Sequence, residues 1–173
     1  MISRRRLILG ALTLPAALAG CGWEPLYADR ETGLADEELR AIRVRPIAER
    51  IGQRLETALR SSLNPSGQPV PARYALNVTL SVSKGSLGVQ SQGLGTRGDV
   101  NVTANYVLTD LKTGTQLQTA SVHTAESFDI QANGYSTVVA QDDAFTRTVE
   151  EMRREIIARL TLFMQRRKAV AAS

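Results

Sequence analysis

Cysteine and histidine occur once each in the 173 residues, and aromatic side chains make up only 5%. One cysteine excludes an internal disulfide framework and any zinc site built on several thiolates, and one histidine excludes the multi-histidine metal centres. G-x-S-x-G, H-E-x-x-H and P-loop patterns are all missing, and with them the usual hydrolase, metalloprotease and nucleotide-hydrolase machinery. No apolar run reaches the ~18 residues that mark a membrane-crossing helix. What is present is 43% apolar and 22% charged residues, a composition that folds as one compact domain without staples.

The net charge of +4 and pI of 9.6 invite a nucleic-acid reading until the charge is located. Residues 1–20 hold Arg4, Arg5 and Arg6 and no acid, so the remaining 18 basic side chains stand against 17 acids, a net charge of +1. The basicity belongs to the leader, and a nucleic-acid partner is not expected. After the arginines, Leu7–Ala19 is uncharged and apolar with Pro15 inside it. As a helix it would cover about 20 Å, short of the ~30 Å hydrocarbon core. A basic start, a short apolar run and a small-residue ending describe an export signal that is removed. Its end, Leu18-Ala19-Gly20-Cys21, resembles the bacterial lipobox, in which the cysteine is acylated and becomes the new N-terminus. The one thiol stands where a nucleophile must form the thioether to diacylglycerol. Diacyl and N-acyl chains together exceed what stable anchoring takes, so the expectation is a folded part held at a membrane surface by Cys21. Ser3-Arg4-Arg5-Arg6-Leu7 also looks like a loose twin-arginine signal, leaving folded and unfolded export both open. Position 22 is Gly, not the Asp that commonly retains bacterial lipoproteins in the inner membrane, which favours the periplasmic face of the outer membrane.

The expected organisation is a signal over 1–20, a tether over 21–40, one domain over 41–168 and a tail over 169–173. Within Ala41–Ile47, Ile42 and Val44 alternate with Arg43 and Arg45, and Pro46 suggests an edge strand or strand end. Ile51, Leu55, Ala58, Leu59 and Ser62 or Leu63 recur at helical spacing, an amphipathic helix of about four turns that stops at Asn64-Pro65-Ser66-Gly67. Tyr74, Leu76, Val78, Leu80 and Val82 alternate strictly with polar or small residues, and a second alternating run follows from Val100 through Val102, Ala104, Tyr106 and Leu108. Gln116–Ile130 gives a further strand in which Leu117, Val122, Phe128 and Ile130 do not keep one parity, so a bulge is expected. Val138–Met164 is a long helix with a stripe of Phe145, Val149, Met152, Ile156, Leu160 and Phe163. The order β-α-β-β-β-α predicts an α+β two-layer sandwich, a mostly antiparallel sheet of about four strands packed on two helices.

Gly93-Leu94-Gly95-Thr96-Arg97-Gly98 matches the dinucleotide fingerprint but is followed by a strand, whereas pyrophosphate binding takes a helix N-terminus there. Lys84–Asp99 reads instead as a glycine-rich hairpin loop of unusual length, with Lys84 and Arg97 as its cations and no acid before Asp99. Both are candidates for contacts to lipid phosphates. Asp142-Asp143 and Glu150-Glu151 are adjacent on a helix and not facing, so they pair with Arg147, Arg153 and Arg154 and do not form a general acid–base couple. His123 lies on the polar parity of its strand without a nucleophile partner. No catalytic residue, metal or cofactor is expected.

Cys21-Gly22-Trp23-Glu24-Pro25-Leu26-Tyr27-Ala28 is similar to the C-G-aromatic-x-P-L-Y-G segment that opens alphaproteobacterial members of the LPS-assembly lipoprotein LptE (rare lipoprotein B) family, departing at Ala28. The size and element order of the rest agree with that family. The resemblance implies a non-enzymatic partner of the outer-membrane β-barrel LptD, a plug that helps the barrel assemble and lipopolysaccharide reach the surface. It also implies lipopolysaccharide as a ligand. The rival reading is an accessory lipoprotein of a periplasm-spanning ABC-type lipid-transport system, which shares the anchor and the small α+β domain.

Overall fold

The computed structural model describes residues 37–69, 71–89, 95–131 and 133–171; the leader, Cys21 and most of the expected tether lie outside them. The elements are β1 (Ile42–Val44), α1 (Arg50–Leu63), β2 (Tyr74–Val89), β3 (Gly95–Asp110), β4 (Gln116–Asp129) and α2 (Gly134–Ala171). They form the expected α+β sandwich, with sheet order β1-β2-β3-β4 and both helices on one face. β2, β3 and β4 make an antiparallel meander, while β1 joins the edge of β2 in parallel through the crossover helix α1.

Each element buries the stripe its sequence offers. In β1, Ile42 and Val44 are buried and Arg43 is exposed. In α1, Leu55, Leu59 and Leu63 are buried at i, i+4, i+8. Glu56 accepts the Ile47 N–H at 3.1 Å, which pins the turn before the helix. The Asn64 side chain closes the other end by donating to the Arg40 carbonyl at 2.9 Å. Leu39, in a helical turn over 37–40, is also part of the core. The even-numbered residues of β2 and β3, from Leu76 and Val78 to Val100, Val102, Ala104, Tyr106 and Leu108, lie under the helices. The expected bulge is present: Leu108 and Thr109 face Gln118 and Gln116, leaving Leu117 as the extra residue of β4. Its parity differs from that of Val122 and Phe128 for this reason.

Two expectations are corrected. Lys84–Asp99 is not a long loop: β2 continues to Val89 and β3 starts at Gly95, with Lys84 opposite Val100 and Leu87 opposite Arg97. The glycines that suggested a loop are sites of close approach. A Cβ at Gly98 would collide with the Phe128 ring, which lies across it from β4, and a Cβ at Gly85 would meet the Asp99 carboxylate. The second helix is longer than Val138–Met164, running over Gly134–Ala171, 38 residues or about 57 Å. Asn133 starts it, its side-chain oxygen accepting the Tyr135 N–H at 3.0 Å. Arg167 holds the far end, 5.8 Å from the Tyr74 ring centroid and 3.8 Å from Asp110. Met164, not Phe163, takes the last buried position of the stripe. No helix among the described residues is long and apolar enough to cross a membrane.

Candidate functional site

The sheet has one covered and one bare face. On the side away from the helices β2 shows Thr79, Ser81 and Ser83, and β4 shows Thr119, Ser121 and His123, all exposed. Between them β3 contributes Asn101, Thr103 and Asn105. Hydroxyls and amides dominate this face, and the Nδ1 of His123 makes a hydrogen-bond contact with Thr103 Oγ1 at 3.2 Å. Among the described residues no helix packs there. The free edge of β4 is treated differently. Arg159 donates to the Ser121 carbonyl at 2.9 Å and Arg147 to the Ser127 carbonyl at 3.1 Å, so outward-facing backbone acceptors are occupied from α2.

The expected acid–base pairs of α2 form: Asp143 with Arg147, Glu150 with Arg153 and Glu151 with Arg154. The hydrogen bond to Arg153 holds the Glu150 carboxyl below its usual range. Asp142 turns elsewhere and bridges to Arg54 of α1 at 2.7 Å, a link that sequence spacing does not reveal.

Lys84 and Arg97 do not come together. Lys84 has the even parity of the core-facing row of β2, whereas Arg97 has the odd parity of the bare face of β3. They stand three rungs, about 10 Å, apart along the sheet and on opposite sides of it. Along β2 the covered row opens gradually, from buried Tyr74 and Leu76 through half-buried Leu80 and Val82 to exposed Lys84. Where the helical layer thins out, a cleft of about 300 Å³ opens between the start of α1, β2 and α2. Ile51, Val82 and Phe145 form its apolar part, and Arg50, Arg54 and Lys84 supply cations. The Lys84 ammonium sits 5.1 Å from the Phe145 ring centroid, a cation–π contact that fixes its charge at the mouth. Sequence reasoning missed Arg50 and Arg54. Their i, i+4 spacing on one helix face, together with a lysine on an apolar parity, was the available signal.

The model of the family described as LptE, lipopolysaccharide-assembly, matches residues 39–162, which is the sandwich from Leu39 to Leu162 of α2. The chain belongs to the LptE lipopolysaccharide-assembly family. That family is one of accessory lipoproteins of the Gram-negative envelope that act in lipopolysaccharide assembly. Among solved structures, a protein described as a lipoprotein from Caulobacter crescentus CB15 is 22% identical with a TM-score of 0.64, over 78% of this chain and 97% of that one. A minor lipoprotein from Acinetobacter baumannii is 16% identical with a TM-score of 0.54, over 70% of this chain and 90% of that one. At these identities the likeness is one of fold. No curated protein sequence matches.

Proposed function

We propose that this LptE-family member is anchored in the periplasmic face of the outer membrane through Cys21, plugs and helps assemble the LptD β-barrel, and so supports lipopolysaccharide transport to the cell surface. The observation that carries the reading is the family match over 39–162 behind a lipobox and Cys21-Gly22-Trp23-Glu24-Pro25-Leu26-Tyr27. Cys21 lies outside the described residues, so its acylation rests on the sequence. Two structural features support a place inside a large barrel. The bare sheet face is rich in hydroxyls and amides, which suits the polar lumen of a wide outer-membrane barrel. The β4 edge has backbone acceptors satisfied from α2, so the domain can sit beside other strands without pairing with them.

In this reading Lys84 and Arg97 serve different surroundings, because they occupy opposite faces of the sheet. Lys84 is the cation placed for lipid phosphate, beside an apolar cleft. Depletion of the protein followed by surface lipopolysaccharide staining tests the role, and a pull-down on the anchored chain tests the partner. Reduced surface lipopolysaccharide and co-isolation of a barrel of about 80–100 kDa are expected. Normal display without such a partner would sink the reading, and isolation of ABC-transporter subunits instead would favour the rival one.

A further inference from the structure

Positive charge collects at the end of the domain where the described chain begins. Glu37 stands there, 16 residues after Cys21, and Glu38 ties the turn over 37–40 to the first rung of β2 through Arg73. The β3–β4 turn and the last turn of α2 meet the same rung: Leu111 donates its N–H to the Arg73 carbonyl at 2.9 Å, and Arg167 lies 3.8 Å from Asp110. Arg40, Arg73, Lys112, Arg166, Arg167 and Lys168 therefore gather here, all exposed, against Glu37, Glu38 and Asp110. Two of these acids are already engaged, Glu38 by Arg73 and Asp110 by the N–H groups of Lys112 and Thr113. The side chains of Lys112, Arg166 and Lys168 enter no ion pair among the described residues. Cations in the last turn of a helix offset its dipole. That leaves unexplained the apolar side chains set among them, Leu111 beside Lys112 and Val170 two residues past Lys168, which are 42% and 77% exposed. A different exposed apolar group, Tyr135, Val138 and Val139, lies at the start of α2, about 48 Å along the helix from Val170 and one turn from Asp142 and Asp143.

We propose that this basic end docks on a bilayer surface carrying anionic phospholipid headgroups, with Lys112, Arg166 and Lys168 against the phosphates and Leu111 and Val170 entering the headgroup layer. A Lys or Arg close to an anionic leaflet strengthens association about fivefold. Exposed apolar side chains among cations suit the boundary between headgroups and acyl chains. The same surface would repel Asp142 and Asp143 beside Val138 and Val139, so charge selects which end of α2 meets the membrane. The proposal deepens the anchoring part of the functional reading and rests on it for a membrane within reach, since 16 residues span at most about 55 Å. It adds to the acyl chains a second contact, one that orients the domain.

The test places the acylated chain in phosphatidylcholine vesicles with and without phosphatidylglycerol. Acylation consumes Cys21, so Val170→Cys supplies the one thiol for a fluorescent label, which brominated lipid quenches on contact. Quenching at position 170 should be strong only with phosphatidylglycerol present, and it should fade as salt approaches 1 M, where the screening length is about 3 Å. Lys112→Gln/Arg166→Gln/Lys168→Gln should weaken docking about a hundredfold. Lys112→Arg/Lys168→Arg should keep it, which guards against loss of fold as the explanation, and a label on Val138→Cys should stay unquenched. Equal quenching at 170 in both kinds of vesicle, indifference to the triple variant, or a label at 138 quenched as strongly would overturn the proposal. The vesicles hold neither barrel nor lipopolysaccharide, so the outcome is independent of the partner role. Docking through this end by a chain whose mass shows no acyl group would support the contact while sinking the anchor. An acylated chain whose label at 170 reads no anionic lipid sinks the docking alone.

Discussion

The Tyr74 hydroxyl donates a 2.7 Å hydrogen bond to Oε2 of Glu38, while Arg73 bridges the other carboxylate oxygen at 2.5 Å. This joins the turn over 37–40 to the first rung of β2, at the point where the chain runs on toward its N-terminus. Arg73 and Arg167 both lie within 6 Å of the Tyr74 ring, at 5.6 and 5.8 Å, so α2 closes on the same residue.

Tyr74→Phe should therefore lower stability by about 1–2 kcal/mol, the scale of a hydrogen bond to a charged group that is partly solvated. Denaturant midpoints measure it. The effect has a pH signature. Burial, and then the hydrogen bond to Glu38, raise the Tyr74 pKa above its ordinary value of 10.0, and burial raises that of Tyr106 as well. A raised pKa means the neutral phenol is favoured in the folded state, so the stabilisation is complete below pH 10 and is lost as pH rises through the folded-state value. Midpoints should fall above pH 10, and the fall should be smaller in Tyr74→Phe.

Gly98→Ala should destabilise by about 1–3 kcal/mol, because the added methyl must displace the Phe128 ring. Combined with Phe128→Ala the cost of the same methyl should shrink, which a double-mutant cycle on thermal unfolding will read as coupling between the two positions. Additive effects would show that the ring does not rest on the glycine.

This pair also explains what the sequence conceals. Element types and the sandwich were legible because Tyr74–Val82 and Val100–Tyr106 alternate without a break and α1 keeps a clean helical stripe. Even the bulge could be expected, from the odd parity of Leu117. The outer half of the β2–β3 hairpin was not legible, because Gly85 and Gly98 carry no side chain to report a face. Their role is written in Asp99 and Phe128 on neighbouring strands. The cleft was hidden for a related reason: Arg50, Lys84 and Phe145 are far apart in sequence and meet only when both helices dock.

Thr148 is fully buried on α2, and its hydroxyl has no hydrogen-bond partner among the described residues. Thr148→Val keeps the β-branched shape and removes the buried polar atom, so it should raise stability by about 1 kcal/mol in thermal or denaturant unfolding. A loss of stability would reveal a partner for that hydroxyl.

The central claim, that this domain works inside the LptD barrel with its bare sheet face toward the lumen, is tested most directly by photo-crosslinking in cells. A photo-reactive residue placed at Asn105, in the middle of that face, should give an adduct containing LptD, and one at Thr103 should do the same. Absence of any barrel adduct from this face, in cells where the protein is folded and anchored, would contradict the account.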